Sequence, residues 1–510
     1  MILIAKEHKF AFLLLTGAFF FMILYKPTQT PPLGFDEGWT LSVARNWVEK
    51  GVYARYLNGE VVSAAPMVWP FTITVPIALS FKLFGIGAFQ GRLSGAFYTS
   101  GALILLYFFC IKLYGKAVAK TTLIILLFMA THNVLHPILA GRTALGEFPL
   151  FFFLIAGYLF FWYARRNSYW FLLGAMVSWG LALITKIHPL PFWSASLLIP
   201  CVWAFYKRKL NIGTIFLLGW IGSIMFALIF HQIDVYLIDH FSSNGPAVEG
   251  LLSVGAFVLV PQVRLFALQL SLSLGLPVIV GIIYYPLVSS HRIKLLLNED
   301  CFYERLGYYL LVISWLAWYI FLSIGWGRYL LPITFFGSIY IALMINNLTF
   351  GANLKRTIAS AGGALKSLHF DKASSGAVLA ILVVVYGVGL NFRSVFFAYS
   401  TANDAVFKVA EYLNINTPPG ALVETYESEQ FFLLDRNYHY PPDQMQVDLN
   451  RWAFLGDRVS LNYDPLSSDP DFLILGPMNK LWGLYDSNTM SYQFRPVFAQ
   501  GDYVIYERMR

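Results

Sequence analysis

Eleven apolar stretches, separated by short basic clusters, constrain this chain more than any other feature. They are residues 4–25, 93–112, 121–139, 148–163, 169–185, 190–206, 212–230, 265–287, 306–324, 329–346 and 374–391. A helix crosses a bilayer with about 20 apolar residues, and lipid tolerates only elements that satisfy their own backbone hydrogen bonds. The pattern predicts a polytopic α-helical membrane protein with about 11 transmembrane helices. Composition agrees: 13% of the 510 residues are charged, against about 25% in soluble domains.

The basic residues set the sidedness. Lys6 and Lys9, Lys112, Lys116 and Lys120, Arg165 and Arg166, Lys207 to Lys209, Arg292 and Lys294, and Lys355, Arg356 and Lys366 form the clusters. With each cluster cytoplasmic, as the positive-inside bias expects, the N-terminus is cytoplasmic and everything after about residue 391 lies outside. That parity needs residues 68–84, interrupted by Pro70, Pro76 and Lys82, to be an interfacial helix within a first outer loop of 26–92. The net charge of +8 then belongs to membrane topology and not to nucleic-acid binding. The run from Phe10 to Leu24 is followed by Tyr25-Lys26-Pro27 rather than a small-residue cleavage site, so it reads as a retained span. Cys110, Cys201 and Cys301 imply neither a disulfide framework nor a cysteine metal site.

Beyond about residue 400 the character changes. Asp404 to Leu413 has helical periodicity, and short strand-like runs follow at 421–424, 471–476 and 503–506. The chain divides into a membrane module, 1–391, and a small extracytoplasmic α/β domain, 392–510.

With this topology, polar residues from several span ends converge on the outer face. Asp36 and Glu37 precede a helical pattern from Trp39 to Lys50. They read either as an N-cap and a dipole-favoured acid or as a general base held at the membrane edge. Arg142 and Glu147 lie in a short loop between spans, where the plain reading is a snorkelling arginine and a helix-starting acid. Lys186 and His188 follow a span, and Arg328-Tyr329 precede another. Cations on the outer face run against the positive-inside trend, which points to an anionic ligand such as a phosphate. Arg264 is a further candidate for that ligand. His132 and His136 are four apart, the spacing that lets two imidazoles share a metal on one helix face. His231, Asp234, Asp239 and His240 are a second candidate cation loop.

These residues resemble the motifs of the GT-C glycosyltransferases, the superfamily of protein O-mannosyltransferases and aminoarabinose transferases. Phe35-Asp36-Glu37 resembles its Asp-Glu motif, and Arg142 through Glu147 its Arg-x4-Asp loop with Glu in place of Asp. Leu183-Ile184-Thr185-Lys186 resembles its Thr-Lys motif, with Ile187 where Gly is usual, and Arg328-Tyr329-Leu330-Leu331-Pro332 its Arg-Tyr-x-x-Pro segment. The resemblance covers about residues 1–350.

It implies a GT-C fold and an enzyme that moves one sugar from a polyprenyl-phosphate carrier to an acceptor at the outer face of the plasma membrane. The acceptor is a protein, lipid or glycan. Asp36, Glu37 and Glu147 are the implied catalytic or orienting acids, and Arg142, Lys186, Arg328, Tyr329 and Arg264 the implied phosphate site. His188, His132 and His136 remain for acceptor or metal. No cofactor is required, and a divalent cation is optional. The rivals are a polymerase or ligase of polyprenyl-linked glycans and a lipid-linked sugar transporter, which would show paired repeats and broken spans near the midplane.

Overall fold

The computed structural model describes residues 2–57, 60–62, 70–239, 257–290, 301–459, 463–485 and 493–509. The helices are α1 (Ile2–Leu24), α2 (Phe35–Lys50), α3 (Phe71–Phe84), α4 (Ala88–Tyr114), α5 (Lys116–Phe128), α6 (Pro137–Ala140) and α7 (Glu147–Ala164). They continue with α8 (Trp170–Thr185), α9 (Leu190–Tyr206), α10 (Leu210–Asp239), α11 (Pro261–Leu274), α12 (Leu276–Ser290) and α13 (Phe302–Phe321). Then come α14 (Leu331–Leu348), α15 (Leu354–Ser367) and α16 (Lys372–Ser400).

Among the described residues, five helical segments are long and apolar enough to cross a membrane, or six if the bent pair α11–α12 is one span. Most expected spans coincide with helices to within a few residues. Two do not. The stretch 121–139 is helical only to Phe128; His132 and Asn133 then turn the chain, and Pro137 starts the short α6. The stretch 265–287 breaks at Gly275, just before Pro277, and its halves meet at 86°. The segment 68–84 contains α3, whose 14 residues are about 21 Å long, short of the roughly 30 Å of a hydrocarbon core. α3 buries Ile73, Ile77 and Phe81 and exposes Leu79, Leu83 and Phe84.

The loops gather at two ends. At one, Glu304 of α13 accepts from Arg165 at 2.5 Å and Arg166 at 2.6 Å. Arg305 donates to the carbonyl of Leu113 there, and Lys112 lies over the Trp162 ring. Basic loops remote in sequence therefore share one end of the bundle. Arg292 and Lys294 lie outside the described residues. At the other end stand the starts of α2, α7 and α14 and the end of α8, where the acids and cations of interest collect.

The interior between the ends is aromatic and close-packed. Trp179, Trp193 and Trp315 are fully buried, and Phe151 stacks on Phe335 at 4.8 Å between α7 and α14.

α16 runs on to Ser400, so the α/β domain starts at α17 (Ala405–Asn416) rather than at 392. Strands β3 (Leu422–Thr425), β4 (Asn437–His439), β5 (Phe472–Leu475), β6 (Phe494–Gln500) and β7 (Tyr503–Arg508) form one sheet in the order β4-β3-β5-β7-β6. β1 (Arg55–Leu57) and β2 (Glu60–Val62) make a separate hairpin after α2. β3 pairs parallel with β4 and β5, and β7 antiparallel with β5 and β6. Three of the five domain strands and α17 were legible as sequence runs; β4 and β6 were not. Short helices α18 (Glu429–Leu433), α19 (Asp443–Asn450) and α20 (Pro477–Trp482) fill the connections.

Candidate active site

α2 begins at Phe35, four residues earlier than its apolar pattern, with Gly34 as N-cap. Asp36 and Glu37 are thus inside the first turn, where the helix dipole favours acids, and neither caps the helix through its side chain. The two point to different places, because adjacent helical residues diverge by about 100°.

Glu37 touches the wall of the cavity described next, but its carboxylate is fully engaged by protein. Its carboxylate accepts from Arg92 Nε at 2.7 Å and Nη2 at 2.6 Å, and from the backbone of Ala144 at 3.0 Å. Both side chains are 2% exposed. Arg92 also donates to the carbonyls of Pro27 and Pro31 at 2.9 and 2.8 Å. This pair ties the loop before α2, the start of α4 and the loop before α7 into one unit. Arg142 has a related place. It donates to the carbonyls of Thr30 at 3.0 Å and Phe21 at 2.6 Å, beneath the rings of Phe21 and Tyr399. It is absent from the cavity wall described next. Glu37 and Arg142 therefore hold backbone.

Asp36 faces a cavity of about 440 Å³ lined also by Pro31, Phe35, Asn133, Thr143, Glu147, Trp326, Arg328 and Met478. Arg328 donates to Asp36 across it. Glu147, the first residue of α7, accepts from Lys186, which follows the last turn of α8. Four residues from four separate segments thus make two ion pairs; Asp36, Arg328 and Glu147 line the space, and Lys186 joins it through Glu147. Arg328 lies 4.8 Å over the Trp326 ring and 5.7 Å from Tyr329. Tyr329 packs behind the site, at 5.9 Å from the His188 ring.

His188 stacks on Trp318 at 6.4 Å. Burial, with Lys186 alongside, pushes its imidazole down to about 3, so it is neutral near pH 7 and offers no positive charge to a phosphate.

The remaining candidates lie elsewhere. Arg264 donates to the carbonyls of Ile320 at 2.9 Å and Tyr319 at 3.4 Å, at the end of α13, away from the cavity wall. His132 and His136 do not share a helix face. Each accepts the amide two residues on, at 3.4 Å from Val134 and 3.1 Å from Ile138, because the expected helix has already ended. Asp234 accepts from the amide of Phe71 at 2.7 Å at the start of α3. His240 lies outside the described residues. Among the described residues, no group of three or more His, Cys, Asp or Glu is placed to hold a metal.

A second space, about 520 Å³, runs between α1, α5 and α16. Leu13, Gly17, Phe21, Phe128, Val388 and Phe392 line it, and Leu139 belongs to both this groove and the cavity. The apolar groove on the bundle flank and the charged cavity thus adjoin at Leu139.

The α/β domain closes the other side. Ser428 donates to the carbonyl of Phe35, Trp39 packs 4.7 Å from Phe431, and Arg45 donates to the Phe432 carbonyl at 2.8 Å. Arg55, fully buried, holds Asp443 through two bonds of 2.8 and 2.7 Å. Met478 of α20 reaches the cavity itself. Neither Arg92 nor these domain contacts were singled out from sequence. Arg92 carried a signal, an arginine embedded in an apolar helix, but the span was counted from the next residue.

No protein-family model matches the sequence, and no curated protein matches it. Solved structures do. ArnT from Cupriavidus metallidurans in the apo state aligns with a TM-score of 0.64 at 14% identity, covering 99% of this chain and 97% of that one. The same protein bound to undecaprenyl phosphate aligns with a TM-score of 0.61 at 14% identity, covering 98% of each chain. The oligosaccharyltransferase AglB from Archaeoglobus fulgidus, in complex with an inhibitory peptide and a dolichol-phosphate, aligns at 0.54 and 12% identity, covering 98% and 74%. Both neighbours are GT-C proteins. The motifs of the sequence and the course of the whole chain agree: this protein has the GT-C fold.

Proposed function

We propose that this chain is an inverting glycosyltransferase that moves a single sugar from a polyprenyl-phosphate carrier to an acceptor hydroxyl. The observation that carries the reading is the meeting of Asp36, Arg328 and Glu147 on one cavity that adjoins an apolar groove, with Lys186 joined to it through Glu147. A carrier that is half phosphate and half isoprenoid needs both. The undecaprenyl phosphate and dolichol-phosphate in the structures of similar fold support the same carrier class.

In this reading Arg328 and Lys186 hold the phosphate, and the isoprenoid lies in the groove of α1, α5 and α16. Asp36 accepts the proton of the acceptor hydroxyl, whose oxygen forms a bond to the anomeric carbon. The bond from that carbon to the phosphate oxygen breaks, and its electron pair stays on the phosphate. The donor is a monoanionic diester and the product a dianionic monoester, so the two cations face charge that grows along the reaction. Glu37 and Arg142 support the loop that presents Asp36. In this reading the basic end of the bundle is the cytoplasmic one, as the positive-inside bias favours, and the cavity and the α/β domain belong to the outer face of the plasma membrane.

Mass spectrometry of envelope glycolipids, glycans and glycoproteins from cells with and without the gene tests the reaction class. The expected result is loss of one sugar from a defined acceptor, restored by the wild-type gene and not by Asp36→Asn. An unchanged profile would contradict the reading.

A further inference from the structure

Three acid–base pairs lie close together around the start of α2, and they differ in one respect. Glu37–Arg92 is 2% exposed on both sides, whereas Asp36 and Arg328 are each 31% exposed, and Lys186 and Glu147 are 22% and 12% exposed. Glu37 touches the cavity wall, but both its oxygens are taken by Arg92 and its pair is nearly unexposed. Asp36, Arg328 and Glu147 line the cavity with more of their surface exposed, and Lys186, itself partly exposed, joins them through Glu147, so an incoming anion can reach Arg328 without unfolding anything. Both cations that would hold a phosphate are therefore already bound to carboxylates, and one of those carboxylates is the proposed base.

A carboxylate that accepts a charge-assisted bond from a guanidinium is stabilised as an anion. While the bond lasts, the Asp36 oxygen that Arg328 holds, Oδ2, is occupied and cannot take the proton of a hydroxyl. Arg328 can give up this bond and stay where it is. The ring of Trp326 lies 4.8 Å beneath it, and its Nε is buried with no partner among the described residues. The guanidinium is held from behind and offers its front to whichever anion is present.

We propose that the donor phosphate enters by exchange: it draws Arg328 off Asp36 and Lys186 off Glu147, so that Asp36 is freed as a base only once the donor is seated. This rests on the glycosyltransferase reading and adds an order to it, donor before acceptor. Asp36 and Glu147 stand in for the phosphate in the substrate-free protein. They neutralise the site and compete with weak anions, and they are displaced by an anion whose isoprenoid tail also fills the groove. No proton or electron moves in the exchange. One neutral pair, Asp36–Arg328, becomes a free carboxylate and a phosphate–guanidinium pair, and Lys186 changes partner likewise. After transfer the protonated Asp36 carries no charge to hold Arg328, which keeps the dianionic product bound until that proton leaves.

The test is the affinity of undecaprenyl phosphate for the purified full-length protein in detergent, read from tryptophan fluorescence, since Trp326 stacks against Arg328. Asp36→Asn removes the competing charge and is expected to bind the lipid phosphate at least tenfold more tightly than wild type. Glu147→Gln is expected to shift affinity in the same direction through Lys186, and it decides the matter if Asp36→Asn does not fold. Arg328→Ala is expected to bind at least tenfold more weakly. Unchanged or weaker binding by the carboxylate variants, with weakened binding by Arg328→Ala, overturns the exchange and leaves the glycosyltransferase reading intact. Unchanged binding by Arg328→Ala and Lys186→Ala together overturns that reading itself.

Discussion

The backbone of Glu429 lies so close to Gly38 that a Cβ at position 38 would come within 2.3 Å of the Glu429 Cα. Glycine follows the acidic pair because the α/β domain rests directly on the helix that carries Asp36. Backbone cannot yield as a flexible side chain can, so Gly38→Ala must separate the two elements, a strain of about 1–3 kcal/mol or more. The expected outcome is earlier thermal unfolding and faster proteolysis within residues 401–459, with loss of sugar transfer. A variant as stable and protease-resistant as wild type would show that the seat is not close.

The Glu37–Arg92 pair is predicted to be structural. Removing one partner of a buried pair leaves an uncompensated charge and costs about 3–5 kcal/mol. Glu37→Ala and Arg92→Ala should each lower the unfolding temperature sharply, and the double variant should recover part of the loss. Thermal unfolding of the four proteins as a double-mutant cycle measures this. Strictly additive losses would mean the two side chains do not depend on each other.

At the same seam, burial and the neighbouring Glu427 carboxylate lift the Glu429 carboxyl to about 8. Tyr503 donates to one of its oxygens, and the other has no partner among the described residues. The sign follows from proton counts. Between the ordinary carboxyl value of 4.5 and about 8, the folded protein holds a proton that the unfolded chain has lost. Stability therefore falls as pH rises through that window and levels off above it. Glu429→Gln should remove the slope. It should unfold several degrees above wild type at pH 8 and near wild type at pH 5. Equal slopes in the two proteins would place the pH dependence elsewhere.

The groove between α1, α5 and α16 makes a separate prediction. A Cβ at Gly17 would meet nothing within 4 Å, and Gly17 lines the groove. Gly17→Phe should fold normally and fill the groove, weakening undecaprenyl phosphate binding about tenfold, or roughly 1.4 kcal/mol. Unaltered affinity in a well-folded Gly17→Phe protein would move the isoprenoid to another surface.

Much of this arrangement was legible in the sequence, and the exceptions have physical causes. Asp36, Glu147, Lys186 and Arg328 were read as one site because each is an ionisable residue at the end of an apolar run, where charge is costly without a purpose. The same signal selected Glu37, Arg142 and Arg264, yet the structure gives the first a buried arginine and the other two backbone carbonyls. Charge at a span end marks a polar partner without saying whether that partner is ligand or protein. The His132–His136 spacing presupposes one continuous helix, whereas α5 ends at Phe128 and each histidine caps a separate short turn. The contact from Ser428 to Phe35 joins residues 393 apart, and no local pattern encodes such a pairing. Gly38 is its local trace, but the helical pattern starts at Trp39, and only the structure puts this glycine inside α2 under the Glu429 backbone.

The central claim is that Asp36 is the base for sugar transfer from a carrier phosphate held by Arg328 and Lys186. The most direct measurement is the release of polyprenyl phosphate and the appearance of glycosylated acceptor, followed by mass spectrometry, when purified protein and membrane extract are mixed. The account predicts product with wild type, none with Asp36→Asn, and partial activity with Asp36→Glu. Full product from an Asp36→Asn protein that folds and binds the carrier would contradict it.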